Sequence, residues 1–111
     1  MTIIKYSVDK PQMALRLTAR GHAGAGVVGK DIVCSAVTIL IRTLASVVTD
    51  MHEIHMLARP PTIDLDSGTA VVACRVNTSL GYAEAKVRYD TVYKGLCLLA
   101  EAFPKHVKII K

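Results

Sequence analysis

Two side chains carry the reactive chemistry of this sequence. Cys34 supplies a thiol and His22 an imidazole, at either end of His22-Ala23-Gly24-Ala25-Gly26-Val27-Val28-Gly29-Lys30-Asp31-Ile32-Val33-Cys34. A thiol attacks only as its thiolate, and an imidazole within reach can take up and return the proton. Asp31 has the form of a helix N-cap, its carboxylate accepting from the backbone N–H of Val33 or Cys34. Cys34 then falls at the third helical position, where unpaired N–H groups and the positive end of the helix dipole favour the thiolate. Backbone N–H groups at that helix start, including that of Cys34, suit an oxyanion hole. The loop between the two residues is rich in glycine (Gly24, Gly26, Gly29) and can fold His22 back onto the sulfur. Gly24, Gly26, Val27, Val28 and Gly29 are expected to form a mobile lid, with the valines contacting an apolar substrate stretch. Thr38 lies one turn after Cys34 and can bring its hydroxyl to the same site. Asp31 can orient His22, although capping already accounts for it.

The remaining candidates are weaker. His52-Glu53-Ile54-His55 lacks the H-E-x-x-H spacing that sets two imidazoles one turn apart, and no third ligand is evident. Three cysteines without C-x-x-C spacing argue against a disulfide framework or a zinc site. Cys74 and Cys97 read as core residues of a strand and a helix. No metal and no cofactor are expected.

These residues need elements to hold them. Thr2–Val8 and Met13–Arg20 read as a hairpin around Asp9-Lys10-Pro11-Gln12, and the second strand ends at the histidine. A helix from Asp31 to about Met56 or Leu57 stops before Pro60-Pro61. Its apolar stripe is Val33, Val37, Leu40, Leu44, Val47, Met51 and Ile54. A second apolar set, Ile32, Ala36, Ile39, Thr43 and Val48, is more than one core-facing side requires, so part of the helix should face a second subunit. Thr62–Asp66 and Thr69–Val76 flank a turn at Ser67-Gly68. A second helix over Tyr82–Ala102 buries Val92, Leu96, Leu99 and Phe103, and His106–Lys111 forms a last strand. The order β-β-α-β-β-α-β gives a single α+β domain over residues 1–111, a mostly antiparallel sheet covered by two helices.

Composition bounds the function. Hydrophobic residues make up 51% of 111 residues, yet no uninterrupted apolar run reaches the roughly 18 of a membrane span. The first residues have no signal-peptide pattern, so a cytoplasmic location and no membrane partner are expected. The net charge of +5 fits a polyanionic neighbour, but Lys105, Lys108 and Lys111 form only a thin basic tail. With one Phe and no Trp there is little to stack on bases, and no direct nucleic-acid binding is expected.

Gly21-His22-Ala23 followed by Gly29-Lys30-Asp31-Ile32-Val33-Cys34-Ser35-Ala36-Val37 resembles the signature of the Prp family, bacterial ribosomal-processing cysteine proteases. Tyr93-Lys94-Gly95-Leu96 and Ala100-Glu101-Ala102-Phe103-Pro104-Lys105-His106-Val107-Lys108-Ile109 resemble that family's last helix and strand. Ser35 and Thr38 stand where alanine and serine are expected, and Val27-Val28 where polar residues are common. The resemblance implies a cytoplasmic homodimeric peptidase with Cys34 and His22 as its catalytic pair. It also implies a substrate, the N-terminal extension of the large-subunit ribosomal protein numbered twenty-seven. Two other classes remain open: a non-catalytic ribosome-assembly or RNA-binding module, and a redox-sensing thiol protein.

Overall fold

The alternation of apolar and polar residues produces the strands expected of it. The computed structural model describes residues 1–21, 31–66 and 68–111. Strands β1 (Thr2–Asp9) and β2 (Ala14–Arg20) form an antiparallel hairpin, in register from Ile3 opposite Arg20 to Asp9 opposite Ala14. Its turn is closed by the Met13 N–H donating to the Lys10 carbonyl at 3.0 Å, with Met13 left-handed at φ 52°. Helix α1 (Ile32–Glu53), strands β3 (Thr62–Asp64) and β4 (Thr69–Arg75), helix α2 (Ser79–Ala102) and strand β5 (Val107–Ile110) follow. The element order is β-β-α-β-β-α-β. The sheet runs β3-β4-β2-β1-β5, and only the β1–β5 pairing is parallel.

Both helices pack on one face of the sheet. Ile4, Leu15, Leu17, Val72 and Val107 project towards them and are fully buried. From α1 the core receives Val33, Val37, Ile41, Leu44, Ala45, Val48 and Met51. That stripe is rotated from the expected one: Leu40 and Val47 are only half-buried, and Ile54 is 65% exposed. By length and composition α1 would qualify to cross a membrane. One side of it builds the core, whereas Ile32 and Ile39 stand in the open. From α2 the core receives Gly81, Ala85, Tyr89, Val92 and Leu96, while Phe103 lies at the rim. Tyr89 is buried and donates to the Val72 carbonyl at 3.0 Å, so its hydroxyl costs little to bury. The helices meet where Gly95 faces Leu40; a Cβ there would lie 3.1 Å from a Leu40 methyl.

The helix ends differ from the sequence reading, for local reasons. Helix α1 stops at Glu53, well before the prolines. The Met56 N–H donates to Met51 and the His55 N–H to His52, each at 3.0 Å, with His55 left-handed at φ 65°. That is a Schellman stop with histidine at the position glycine usually takes. The Asn77 side-chain amide secures it by donating to the His55 carbonyl at 2.8 Å. Helix α2 begins at Ser79 rather than Tyr82, because Thr78 is its N-cap and accepts from the Gly81 N–H at 3.0 Å.

Candidate active site

Cys34 stands in the first turn of α1. Asp31 adopts extended backbone (φ −76°, ψ 100°), and its Oδ1 accepts from the Cys34 N–H at 2.9 Å. The Ser35 N–H then begins the helical ladder by donating to the Asp31 carbonyl at 3.0 Å. The cap therefore forms as its residue types dictate. It also consumes the Cys34 N–H, which removes that group from the donors expected at an oxyanion hole.

The half-buried Cys34 opens on a cavity of about 280 Å³ between the start of α1 and the β3–β4 end of the sheet. Val37, Ile41 and Ala70 give it an apolar wall, and Leu65 and Asp66 close one side. Thr38 and Arg42 continue the Cys34 line along the helix. Thr38 thus lines the same cavity as Cys34. Arg42 and Asp66 were not anticipated, although Arg42 repeats the Cys34–Thr38 interval and was there to be found at i+8. Asp66 carries no such signal, because its place depends on how β3 turns into β4.

Gly21 lines the same cavity and is held from two sides. Its N–H donates to the Gly68 carbonyl at 2.8 Å, and its carbonyl accepts from the buried Thr2 hydroxyl at 3.4 Å. Gly21 has φ 86°, and a Cβ on it would collide with the Met1 carbonyl oxygen, so no other residue fits without displacing the start of β1. His22, Gly24, Gly26, Val27, Val28 and Gly29 lie outside the described residues. The described chain borders them with Gly21 and Asp31, and both residues adjoin the Cys34 site.

Of the other reactive residues, Cys74 is buried, and burial pushes its thiol above the ordinary value. Cys97 is half-buried rather than a core residue. His55 lies beyond the end of α1, so His52 and His55 do not share a helical face. Among the described residues no group of three His, Cys, Asp or Glu is placed to hold a metal ion.

A helix-start thiol on an apolar-walled cleft is the arrangement of a cysteine peptidase. The sequence profile of cysteine protease Prp matches residues 1–108, and the chain belongs to that family of cysteine proteases. The fold is similar to the Staphylococcus aureus ribosomal processing protease Prp in complex with a covalently linked product peptide. That match has a TM-score of 0.71 at 19% identity, covering 98% of this chain and 97% of the other. The same protease with a substrate peptide gives 0.68 at 17% identity, covering 99% and 98%. A Streptococcus mutans protein gives 0.63 at 23% identity, covering 99% and 94%. No curated protein sequence matches the chain.

Proposed function

We propose that this protease removes the N-terminal extension of a ribosomal protein, the large-subunit protein numbered twenty-seven, with Cys34 as nucleophile and His22 as general acid and base. The observation that carries the reading is the position of Cys34, in the first turn of α1 and facing the cavity. The Cys34 thiolate attacks the scissile carbonyl carbon to form a tetrahedral oxyanion. That intermediate collapses as His22 protonates the departing amine, leaving a thioester on Cys34. His22 then takes a proton from water, whose attack releases the new carboxylate and regenerates the thiol. The S. aureus protease with its covalently linked product peptide supports a path through a covalent intermediate. With the Cys34 N–H held by Asp31, other donors must stabilise the oxyanion. The apolar wall of Val37, Ile41 and Ala70 suits a hydrophobic side chain next to the cleaved bond.

The same reading includes a homodimer in the cytoplasm. Ile32 (79% exposed) and Ile39 on α1, with Leu80 and Val87 on α2, leave aliphatic side chains on the outer side of the helical layer. All three cysteines are free thiols, as a reducing compartment would keep them. The test is to incubate the purified chain with the extended ribosomal protein and read product masses. One cut within the extension is expected from the wild type, and none from Cys34→Ala or His22→Ala. Undiminished cleavage by Cys34→Ala would overturn the assignment, and sedimentation as a monomer at micromolar concentration would overturn the dimer.

A further inference from the structure

Among the described residues no helix packs on the sheet face opposite α1 and α2, and its register organises charge that the sequence scatters. Arg16, Lys5 and Lys108 alternate with the buried residues of β2, β1 and β5, and Arg75 does so on β4. Arg75 pairs with Ala14, two residues before Arg16; Arg16 pairs with Ser7, two after Lys5; Lys5 pairs with Thr18; Lys108 pairs with Ile3, two before Lys5. The four cations therefore form one diagonal, each a strand over and two residues along from the last. Strand spacing and rise put successive cations about 8 Å apart, so the line spans about 25 Å. Arg20 lies beside it. All five side chains are exposed, and among the described residues the ion pairs lie on α2 alone. The two carboxylates on this face are off the diagonal and engaged locally: Asp9 accepts from the Gln12 N–H and Asp64 from the Asp66 N–H.

We infer that this face is a docking surface for RNA, gripped by its phosphates. An evenly spaced line of cations matches a regular polyanion rather than a folded acidic protein, whose carboxylates follow no such repeat. A groove of about 320 Å³ runs beside the line and is edged by the hydroxyls of Ser7, Thr18 and Thr69. Among the described residues, the strands present no aromatic side chain on this face for base stacking. Binding is therefore sequence-tolerant and electrostatic. The surface is on the opposite side of the sheet from α1 and Cys34, so RNA can be held while the cleft works. The expectation of no nucleic-acid binding rested on a thin basic tail and on the shortage of aromatic side chains; Lys108 of that tail is one end of the diagonal.

The inference does not depend on the cleavage chemistry and is tested apart from it. The intact protein is titrated into a fluorescently labelled, unstructured RNA over a range of salt concentrations. Four phosphate contacts predict a slope of log affinity on log salt near −3 for a single strand. Lys5→Ala/Arg16→Ala should weaken binding about tenfold and flatten the slope by about 1.4. Lys94→Ala/Lys105→Ala removes the same charge elsewhere and should change affinity less than threefold. Circular dichroism melting confirms that both pairs fold. Equal losses from both pairs would reduce the effect to net charge and overturn the surface. So would an absence of RNA binding at low salt, or equal binding of polyglutamate.

Discussion

The Gly21 N–H donates to the Gly68 carbonyl at 2.8 Å, and this bond ties the end of β2 to the turn before β4. Both glycines are left-handed, at φ 86° and 82°, so the bond joins two positions that other residues occupy only under strain. Gly21→Ala adds about 1–2 kcal/mol of backbone strain to the collision with the Met1 carbonyl. Urea unfolding should show a loss of about 2 kcal/mol or more, with cleavage falling because the residue before His22 has moved. A loss well under about 1 kcal/mol would mean that the start of β1 gives way freely.

Asp31 offers a separation of capping from catalysis. Asp31→Ala removes the acceptor for the Cys34 N–H and should cost about 1 kcal/mol, whereas Asp31→Asn keeps an acceptor and should stay within a few tenths. Cleavage by Asp31→Asn should remain near the wild-type rate. A stable Asp31→Asn protein without activity would instead give the Asp31 charge a role beyond the cap.

The Schellman stop predicts a stabilising change. His55 holds φ 65° at the helix end, which costs an L-residue about 1–2 kcal/mol, against roughly 0.5–1 kcal/mol for the extra freedom of an unfolded glycine. His55→Gly should stabilise the fold by the difference, up to about 1.5 kcal/mol, and raise the denaturation midpoint accordingly. No gain would show that the imidazole itself makes a contact worth as much as the strain.

Two pH effects follow from the Tyr6–Asp90–Lys86 cluster. Tyr6 donates to Asp90 at 2.8 Å, and Lys86 reaches the same carboxylate at 2.8 and 3.1 Å. Burial raises the Tyr6 and Tyr89 hydroxyls far above the ordinary tyrosine value, and the Asp90 bond raises Tyr6 further. A raised folded value stabilises fully below the unfolded value near pH 10 and is lost as pH climbs. Near-ultraviolet titration should therefore show Tyr6 and Tyr89 resisting ionisation until the chain unfolds in alkali. Early, reversible ionisation of all four tyrosines would contradict it. Asp90 moves the other way: burial pushes its carboxyl up, but the Lys86 and Tyr6 hydrogen bonds outweigh that and leave it lowered. Its stabilisation is present above the unfolded value near 3.9 and fades as pH falls below it. With side chains 40% and 46% exposed, the pair contributes at most about 1 kcal/mol, and Asp90→Asn should flatten the acid limb by no more.

Native-state labelling distinguishes the thiols. Cys34 should react with a small disulfide reagent in the folded protein, while the buried Cys74 waits for unfolding. Cys97, half-buried on α2, should fall between them. Rapid native labelling of Cys74 would show that the core opens locally at β4.

Much of this fold was legible because burial and periodicity agree. Leu15, Leu17 and Ala19 alternate into the core as the β2 pattern demands, and Asp31 caps α1 as its type suggests. What escaped had no one-dimensional signal or was read against the wrong cue. The prolines after Arg59 drew the end of α1 too far, because a histidine in the left-handed region is rarer than a proline stop. Nothing at Thr62–Asp66 marks Leu65 and Asp66 as walls of the cleft, since they reach it through a chain turn. On α1, the similar hydrophobicity of Leu40 and Ile41 hid which one faces the sheet, and only packing against α2 decides it. The diagonal of cations needs the register of four strands at once.

The parallel pairing of β1 with β5 has a temporal consequence. Thr2 lies beside Val107, so β1 finds one neighbour in β2 soon after it is synthesised and the other only after α2 has been made. In the interval β1 is an open edge, and its bare N–H and C=O groups invite pairing with other chains. Closing so long a loop is slow compared with hairpin formation, so docking of β5 is the natural late step of folding. Thr2 also carries the hydroxyl that holds the Gly21 carbonyl. A nascent chain halted after β4 can therefore form its hairpins while the anchor beside His22 is still unsettled, and that anchor settles only once β5 has been made.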